Sequence, residues 1–404
     1  MVTGDDAQAM PPERESAGPM PGSPVTVLGL GGGGSRVASC LCGDAPTLAC
    51  KVIAADTDMD ALRGVENIDV IQLGGDWTNQ KGCGGDTALG ERAASTSAEA
   101  LNACISGSRL LIVVAALGGG TGSGAARVVG RLAREARVTT LFLATLPFAF
   151  EGNWRRREAE KSLQSLREMA DSVIVVPNDL LFTAFSADTP ATEAFCLADS
   201  LLARALTSLI RLNQANGLIP ADFSSFRTVL RKRPATNCLG VGHGSGEQRW
   251  QKALDALLDC PLLGGRLNLQ QADAAVISIL GGPDLAMGEI QSCLSALQEQ
   301  FGAQTRIIAG AYASEDARGL QITALVCRYE EPRSSAAPAT RRPAPKPRQA
   351  RNSPGKSRAK IQGELPLIEQ SLGIFAGTPP TTVAGQNLDV PTFQRKGISL
   401  DVGD

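Results

Sequence analysis

The chain has 404 residues, with 39 Lys and Arg against 41 Asp and Glu and an apolar fraction of 43%. A net charge of -2 excludes a bulk polyanion binder, and the length suffices for two domains with cores of their own. Ten cysteines at irregular positions, with no basic or apolar leader ahead of them, read as reduced thiols, and no apolar run has the length that crossing a bilayer needs.

Residues 1–24 are acidic and Pro-rich and are expected to form a disordered arm. Val25 to Leu30 predicts a buried strand, Gly31 to Gly34 a glycine loop, and Ser35 to Cys40 the opening of a helix. Gly29, Gly31 and Gly34 satisfy GxGxxG, and Asp56, ending the next strand from Val52, stands where a dinucleotide fold keeps its ribose-binding acid. That spacing admits an NAD(P)-binding oxidoreductase with a Rossmann-type site. Arg109 to Ala116 is a second apolar run of strand length, followed by Leu117-Gly-Gly-Gly-Thr-Gly-Ser-Gly124. Ala125 to Ala136 then has helical spacing, with Val128, Val129 and Leu132 on one face. A glycine loop between strand and helix leaves backbone N–H groups and the positive end of a helix dipole free for phosphate. No Lys follows these glycines, so the P-loop pattern is absent. A dinucleotide site has no need of the second loop; two such loops can hold one polyphosphate from two sides.

Strands alternating with helical patterns up to about Ile174 predict an α/β fold with a parallel sheet covered on both faces. Ala194 to Gln214 predicts a long central helix, with Leu197, Leu201, Ala205, Ser208 and Leu212 spaced for burial and Asn216-Gly217 as its stop. Strands at Cys238 to His243, Ala274 to Leu280, Thr305 to Ala311 and Leu320 to Cys327, with helices at Glu247 to Leu258 and Met287 to Glu299, predict a smaller α+β domain. The expected boundaries are 25–192 for the nucleotide domain, 193–217 for the connecting helix and 218–330 for the second domain. Residues 331–385 are basic and Pro-rich: a disordered linker that serves as a solvated spacer or is weakly drawn to anionic lipid or nucleic acid. The single histidine, His243, has no nucleophile paired to it by spacing and reads as structural, and no residue cluster has metal-ligand spacing.

Taken together, GLGGGGS, AADTDMDAL, LGGGTGSGAA, Pro147-Phe-Ala-Phe-Glu-Gly152 and Pro177-Asn-Asp179, in this order between about Val25 and about Tyr329, resemble the FtsZ branch of the tubulin/FtsZ superfamily. The resemblance implies GTP binding. Backbone amides of Gly32, Gly33, Gly34 and Ser35, and of Gly118, Gly119, Gly120, Thr121, Gly122, Ser123 and Gly124, would hold the phosphates. Arg36 stands where the family has Asn. Glu151 and Arg155 match contacts to ribose and phosphate, or else form a plain surface ion pair one helical turn apart. Asn178 matches a base or ribose contact. Asp199 falls on the Asn of the family's Asn-Asp pair and Ser200 on its Asp, so one acceptor for the guanine N1–H and amine is kept and one is weakened, which favours GTP over ATP. Mg²⁺ is expected with the phosphates. Asp58 and Asp86 are either contacts near phosphate and metal or, respectively, a turn residue and a helix cap.

The family's hydrolytic loop supplies acids to the nucleotide of the next subunit. Here Asp222 is kept, but Pro220 and Ser225 replace the loop's Asn and second Asp, so the resemblance implies a slow GTPase. It implies further a head-to-tail homopolymer acting in cell division, cytoplasmic and brought to the division site. Residues 386–404 match the family's C-terminal peptide, with 386–396 expected to bind a membrane-tethering division protein, without a membrane span or a specific nucleic-acid partner. A nucleotide-binding scaffold with negligible hydrolysis is the alternative within the same family.

Overall fold

The computed structural model describes residues 25–329, apart from 45–47, 66–67, 76–80, 184, 187, 213–216, 232–234 and 316, together with 382–383 and 386–387. The first half runs β1 (Val25–Leu30), α1 (Gly31–Asp44), β2 (Lys51–Asp56), α2 (Met59–Arg63), β3 (Asp69–Gln72), α3 (Thr87–Thr96), α4 (Ala98–Ile105), β4 (Leu110–Ala116), α5 (Gly120–Glu135), β5 (Thr139–Leu146), α6 (Asn153–Met169), β6 (Ser172–Pro177), α7 (Asn178–Phe182) and α8 (Ala191–Arg211). The second runs α9 (Phe223–Arg231), β7 (Ala235–Gly244), α10 (Arg249–Leu258), α11 (Arg266–Gln270), β8 (Ala274–Gly281), α12 (Met287–Gln300), β9 (Arg306–Ala313) and β10 (Leu320–Tyr329). All of these belong to one unit, Met1–Ala337. A second unit, Pro338–Asp404, contains the antiparallel pair β11 (Thr382–Val383) and β12 (Gln386–Asn387). Apart from Thr382 and Val383, which β11 places in a strand where a disordered linker was expected, the basic linker lies outside the described residues, as does all of the expected tether peptide beyond Asn387.

The strands form a 10-stranded sheet in the order β3-β2-β1-β4-β5-β6-β7-β10-β8-β9. The six from β3 to β6 are mutually parallel, as the alternation of strands and helices predicts. β7 joins β6 in parallel through Ile174 and Asn237, and β10 runs antiparallel to both β7 and β8. β4 reads as an unbroken apolar run because both of its faces are covered. Leu110, Ile112 and Val114 pack with Val37, Leu202 and Leu206 of α1 and α8, whereas Leu111, Val113 and Ala115 pack with Ala126, Val129 and Leu166 of α5 and α6.

The two helices that follow the glycine runs start earlier than expected. α5 begins at Gly120 rather than Ala125, and α1 at Gly31 rather than Ser35, so most of the glycines form first helical turns instead of loops. Glycine is a poor helix former, but tertiary contact overrides that here. A Cβ on Gly34 would run into the Val114 carbonyl, one on Gly122 into the Ala116 carbonyl, and one on Gly124 into the backbone of Thr87 and Glu91. The helices therefore press onto strand and neighbouring helix at a distance only glycine permits.

α8 begins three residues before the expected Ala194, and its buried face differs at that end. Ala198 and Leu202 are buried, whereas Leu197 is 41% exposed; farther along, Ala205, Ser208 and Leu212 are buried as their spacing predicts. The stripe shifts because the N-terminal half of α8 packs on α1, which takes the small side of the helix. Residue 216 of the expected stop lies outside the described residues.

Candidate functional site

The strand order reverses between β1 and β4: α1 leads left to β2, and α5 leads right to β5. In an open parallel sheet this switch point leaves a crevice at the carboxyl ends of the strands. The starts of α1 and α5 meet there, and a Cβ on Gly31 would stand 3.1 Å from the Gly122 amide nitrogen. No side chain caps α5 at Gly119, so its first-turn amides keep their hydrogen-bonding capacity for a ligand. The turn is held from within by Ser123 Oγ, which accepts from the Gly118 amide at 2.8 Å. The Thr121 hydroxyl pairs with that of Thr57 at 2.7 Å. Ser35 Oγ, buried in the first turn of α1, has no hydrogen-bond partner, an orphaned polar group beside the crevice.

The glycines divide into two sets. Gly119 faces open space, and a Cβ on Gly32 would approach only Asp56 Oδ2, at 4.0 Å. Gly33, Gly34, Gly120, Gly122 and Gly124 are packing residues: a Cβ on Gly33 would lie 2.7 Å from Ala116 Cβ, and one on Gly120 2.6 Å from Cys83 Cβ. Gly118 adopts φ +94°, and a Cβ there would lie 2.9 Å from the Arg155 carbonyl oxygen. This puts Arg155, and the Glu151 it pairs with, at the rim of the second glycine turn. The other Glu151 oxygen accepts from the Phe148 amide at 2.9 Å.

Beside the first glycine turn, Arg36, Asn178 and Asp199 line one pocket with Gly33 and Gly34. Its apolar wall includes Phe182 and Phe195, whose rings pack edge to face at 5.3 Å, and Phe148 braces Phe182 at 4.8 Å. Arg36 Nε donates to Asp199 Oδ2 at 2.9 Å. Burial pushes the Asp199 carboxyl above its ordinary range, and the Arg36 guanidinium pulls it back. Ser200, the next residue, lines a different cavity on the far side of α8.

Asp222 is not in this crevice. Phe223, its neighbour, lies under the Arg109 guanidinium at 4.3 Å, and Arg109 immediately precedes β4, whereas the second glycine turn follows it. Seven residues of strand separate the two ends, roughly 23 Å at about 3.3 Å per residue. Exposed at the start of α9, Asp222 accepts from the amides of Ser224 at 3.2 Å and Ser225 at 2.8 Å. The Ser225 hydroxyl and these amides hold its carboxyl below the usual aspartate range. Ser225 Oγ also accepts from Arg306 at 3.3 Å.

Residues 24–186 match the model for the GTPase domain of the Tubulin/FtsZ family, and residues 235–328 that for the FtsZ family C-terminal domain. The cell division protein FtsZ of Haloferax mediterranei is 33% identical over 302 residues, covering 75% of this chain and 79% of that protein. The chain belongs to the tubulin/FtsZ family. An empty FtsZ dimer of M. jannaschii superposes with a TM-score of 0.69 at 28% identity, over 78% of this chain and 95% of that one. CetZ2 from Haloferax volcanii, solved as a GTPgS-bound protofilament, shares the fold with a TM-score of 0.61 at 24% identity, over 77% and 94%. The oxidoreductase alternative is overturned by this membership, although the first six strands share the dinucleotide order.

Both carboxylates with two readings act as helix caps in this tubulin/FtsZ fold. Asp58 accepts from the amides of Asp60 at 2.9 Å and Ala61 at 3.4 Å, and Asp86 from those of Ala88 at 2.8 Å and Leu89 at 3.1 Å. Among the described residues no three His, Cys, Asp or Glu side chains gather to hold a metal. His243 Nε2 donates to the Arg318 carbonyl at 2.8 Å. Sequence reasoning missed Thr57 and the Phe148, Phe182 and Phe195 cluster. With aromatic residues at only 4% of the chain, repeated Phe in FAFE, LLF and EAF was the available signal.

Proposed function

We propose that the chain binds GTP in the crevice between α1 and α5 and hydrolyses it where two copies meet head to tail. The observation that carries this reading is the separation of Asp222 from the glycine turns by the length of the sheet. One chain holds both halves of a site and is unable to bring them together. Residues 25–192 serve as the nucleotide-binding part, 193–217 as the connector and 218–330 as the part that presents Asp222.

The donor set fits a nucleotide triphosphate. The free first-turn amides of α5, the open faces of Gly32 and Gly119 and the orphaned Ser35 hydroxyl offer donors where phosphate oxygens would lie. Asp199 offers two acceptor oxygens to a base that presents two donors on one edge, as guanine does and adenine does not. Glu151 and Arg155 at the rim would meet ribose and phosphate, and Asn178 the base or ribose. Mg²⁺, when bound, supplies charge neutralisation at the phosphates. It would rest on their oxygens and on water, with Asp56 a carboxylate beside Gly32.

Both ends of the sheet expose apolar groups suited to burial against another copy. Phe150 (81% exposed) and Trp154 (57%) stand by the glycine turns, with Leu218 (55%) near Asp222. Joining unlike ends is a heterologous contact that does not close, so a filament results. Asp222 would orient the attacking water of the neighbouring copy. Ser225, in place of a second acid, spends its amide and hydroxyl on Asp222, and Pro220 offers no side-chain polar group, so turnover is slow. The cellular role is that of a division protein recruited to a membrane tether through residues 386–396.

Sedimentation and phosphate release with GTP, run beside an Asp222→Ala variant, test the reading. GTP-dependent pelleting with slow phosphate release that the variant loses by at least about a hundred-fold supports it. Pelleting with negligible release in the unaltered chain selects a non-hydrolysing scaffold instead. Calorimetry showing no preference for guanosine over adenosine or nicotinamide nucleotides overturns both.

A further inference from the structure

A cavity of about 460 Å³ lies away from the glycine turns, between the outer face of α8 and the ends of β7, β8 and β10. Its volume is that of a small-molecule site. Ser200, Arg204, Thr207 and Arg211, a stripe of α8 at alternating spacings of three and four, form one wall. Arg318, in the turn before β10, faces them, and His243 fastens that turn through its hydrogen bond to the Arg318 carbonyl.

Elsewhere in the molecule Arg36, Arg127, Arg155 and Arg249 each sit on a carboxylate. Arg204 and Arg318 instead border a concave space with no carboxylate among its described lining residues. Like charges gathered around a cavity raise its potential and concentrate anions there. Guanidinium groups are matched in geometry to phosphate oxygens, and the Ser200 and Ser314 hydroxyls add neutral donors. Leu197 and Leu280 supply an apolar wall, which gives a use to the exposure of Leu197 that the core does not explain.

We propose that this cavity binds a phosphorylated small organic molecule, with Arg204 and Arg318 on its phosphate and Leu197 and Leu280 against its carbon skeleton. The site is separate from the guanine pocket and does not depend on that assignment. α8 is the wall between the two: Asp199 faces one and Ser200 the other.

The test is calorimetric titration of the full chain, saturated with GDP, with inorganic pyrophosphate as the probe. An Arg204→Ala/Arg318→Ala double variant and an Ala317→Glu variant, which places a carboxylate at the cavity wall, are titrated alongside. Saturable binding to the unaltered chain that weakens at least about ten-fold in both variants is expected. GDP affinity should stay within about two-fold throughout. If the double variant does not fold, Ala317→Glu alone decides. Equal pyrophosphate affinity in all folded proteins, or no saturable heat in the unaltered chain, overturns the proposal. Failure of GDP to bind would instead count against the guanine reading, since the variants still report on this cavity.

Discussion

Asp199 and Arg36 stand 163 positions apart in sequence and share one hydrogen bond. In the proposed site this pair has two jobs: the guanidinium keeps the half-buried carboxyl ionised, and the carboxylate reads the base. Burial alone favours the protonated form, which has lost half of the acceptor character that guanine requires. Preference for guanine should therefore vanish as pH falls through the raised Asp199 value, at a higher pH than an ordinary aspartate would set. Arg36→Ala removes the opposing influence and should move that loss to still higher pH, which titrating GDP across a pH series will show. Asp199→Asn, which turns one acceptor into a donor facing a donor, should weaken GDP by roughly ten- to a hundred-fold with ATP left unchanged. The pairing itself was not legible in the sequence. Arg36 and Asp199 could each be placed on a helix, but nothing local says that α1 and α8 lie side by side. Asp86 illustrates the converse, since its cap reading was available from its position before a helix and the structure realises it, whereas Asp58, read as a turn residue, caps α2 as well.

Helix contacts explain why the glycine runs are so dense. A Cβ on Gly90 of α3 would strike the Gly120 carbonyl of α5, and one on Gly124 would strike Thr87 in return. Gly90→Ala should thus force the two helices apart and cost about 1–3 kcal/mol, as overpacking does elsewhere, lowering the melting temperature and, with α5 displaced, nucleotide affinity. Gly43→Ala in α1, where a Cβ meets nothing within 4 Å, is the control and should leave stability unchanged or improved. This element-level detail also marks where sequence reading stopped. The apolar runs made β1, β4 and β8 plain, because strands buried on both faces are almost wholly apolar, with Thr26 and Ser278 the only polar residues among them. The helix starts were placed late because intrinsic propensity counts glycine against a helix, whereas here closeness of backbones outweighs it. Slippage of the α8 stripe has a similar cause: Leu197 was assigned inward on spacing alone, and it lines the basic cavity instead.

At the scale of the whole molecule, the two sets of residues in the proposed reaction occupy opposite ends of one continuous sheet. Variants defective at different ends should then complement one another. Asp199→Ala retains a sound Asp222 end, and Asp222→Ala retains a sound pocket. An equal mixture should recover up to about one quarter of the phosphate release of the unaltered chain, since that fraction of random junctions joins two sound halves. At GTP concentrations too low to fill the weakened Asp199→Ala pocket, either variant alone should give almost none. Recovery would be absent if both ends served the same chain.

In the proposed reaction, an acid and a pocket at opposite poles have a counting consequence. A solitary molecule would own no finished reaction centre, a pair would own one, and a row of n would own n minus one. Output per molecule should climb with protein concentration and level off once rows are long. One terminal pocket in every row would keep its triphosphate uncleaved until another molecule arrived, so each polymer would carry its own timer at a single, chemically distinct tip.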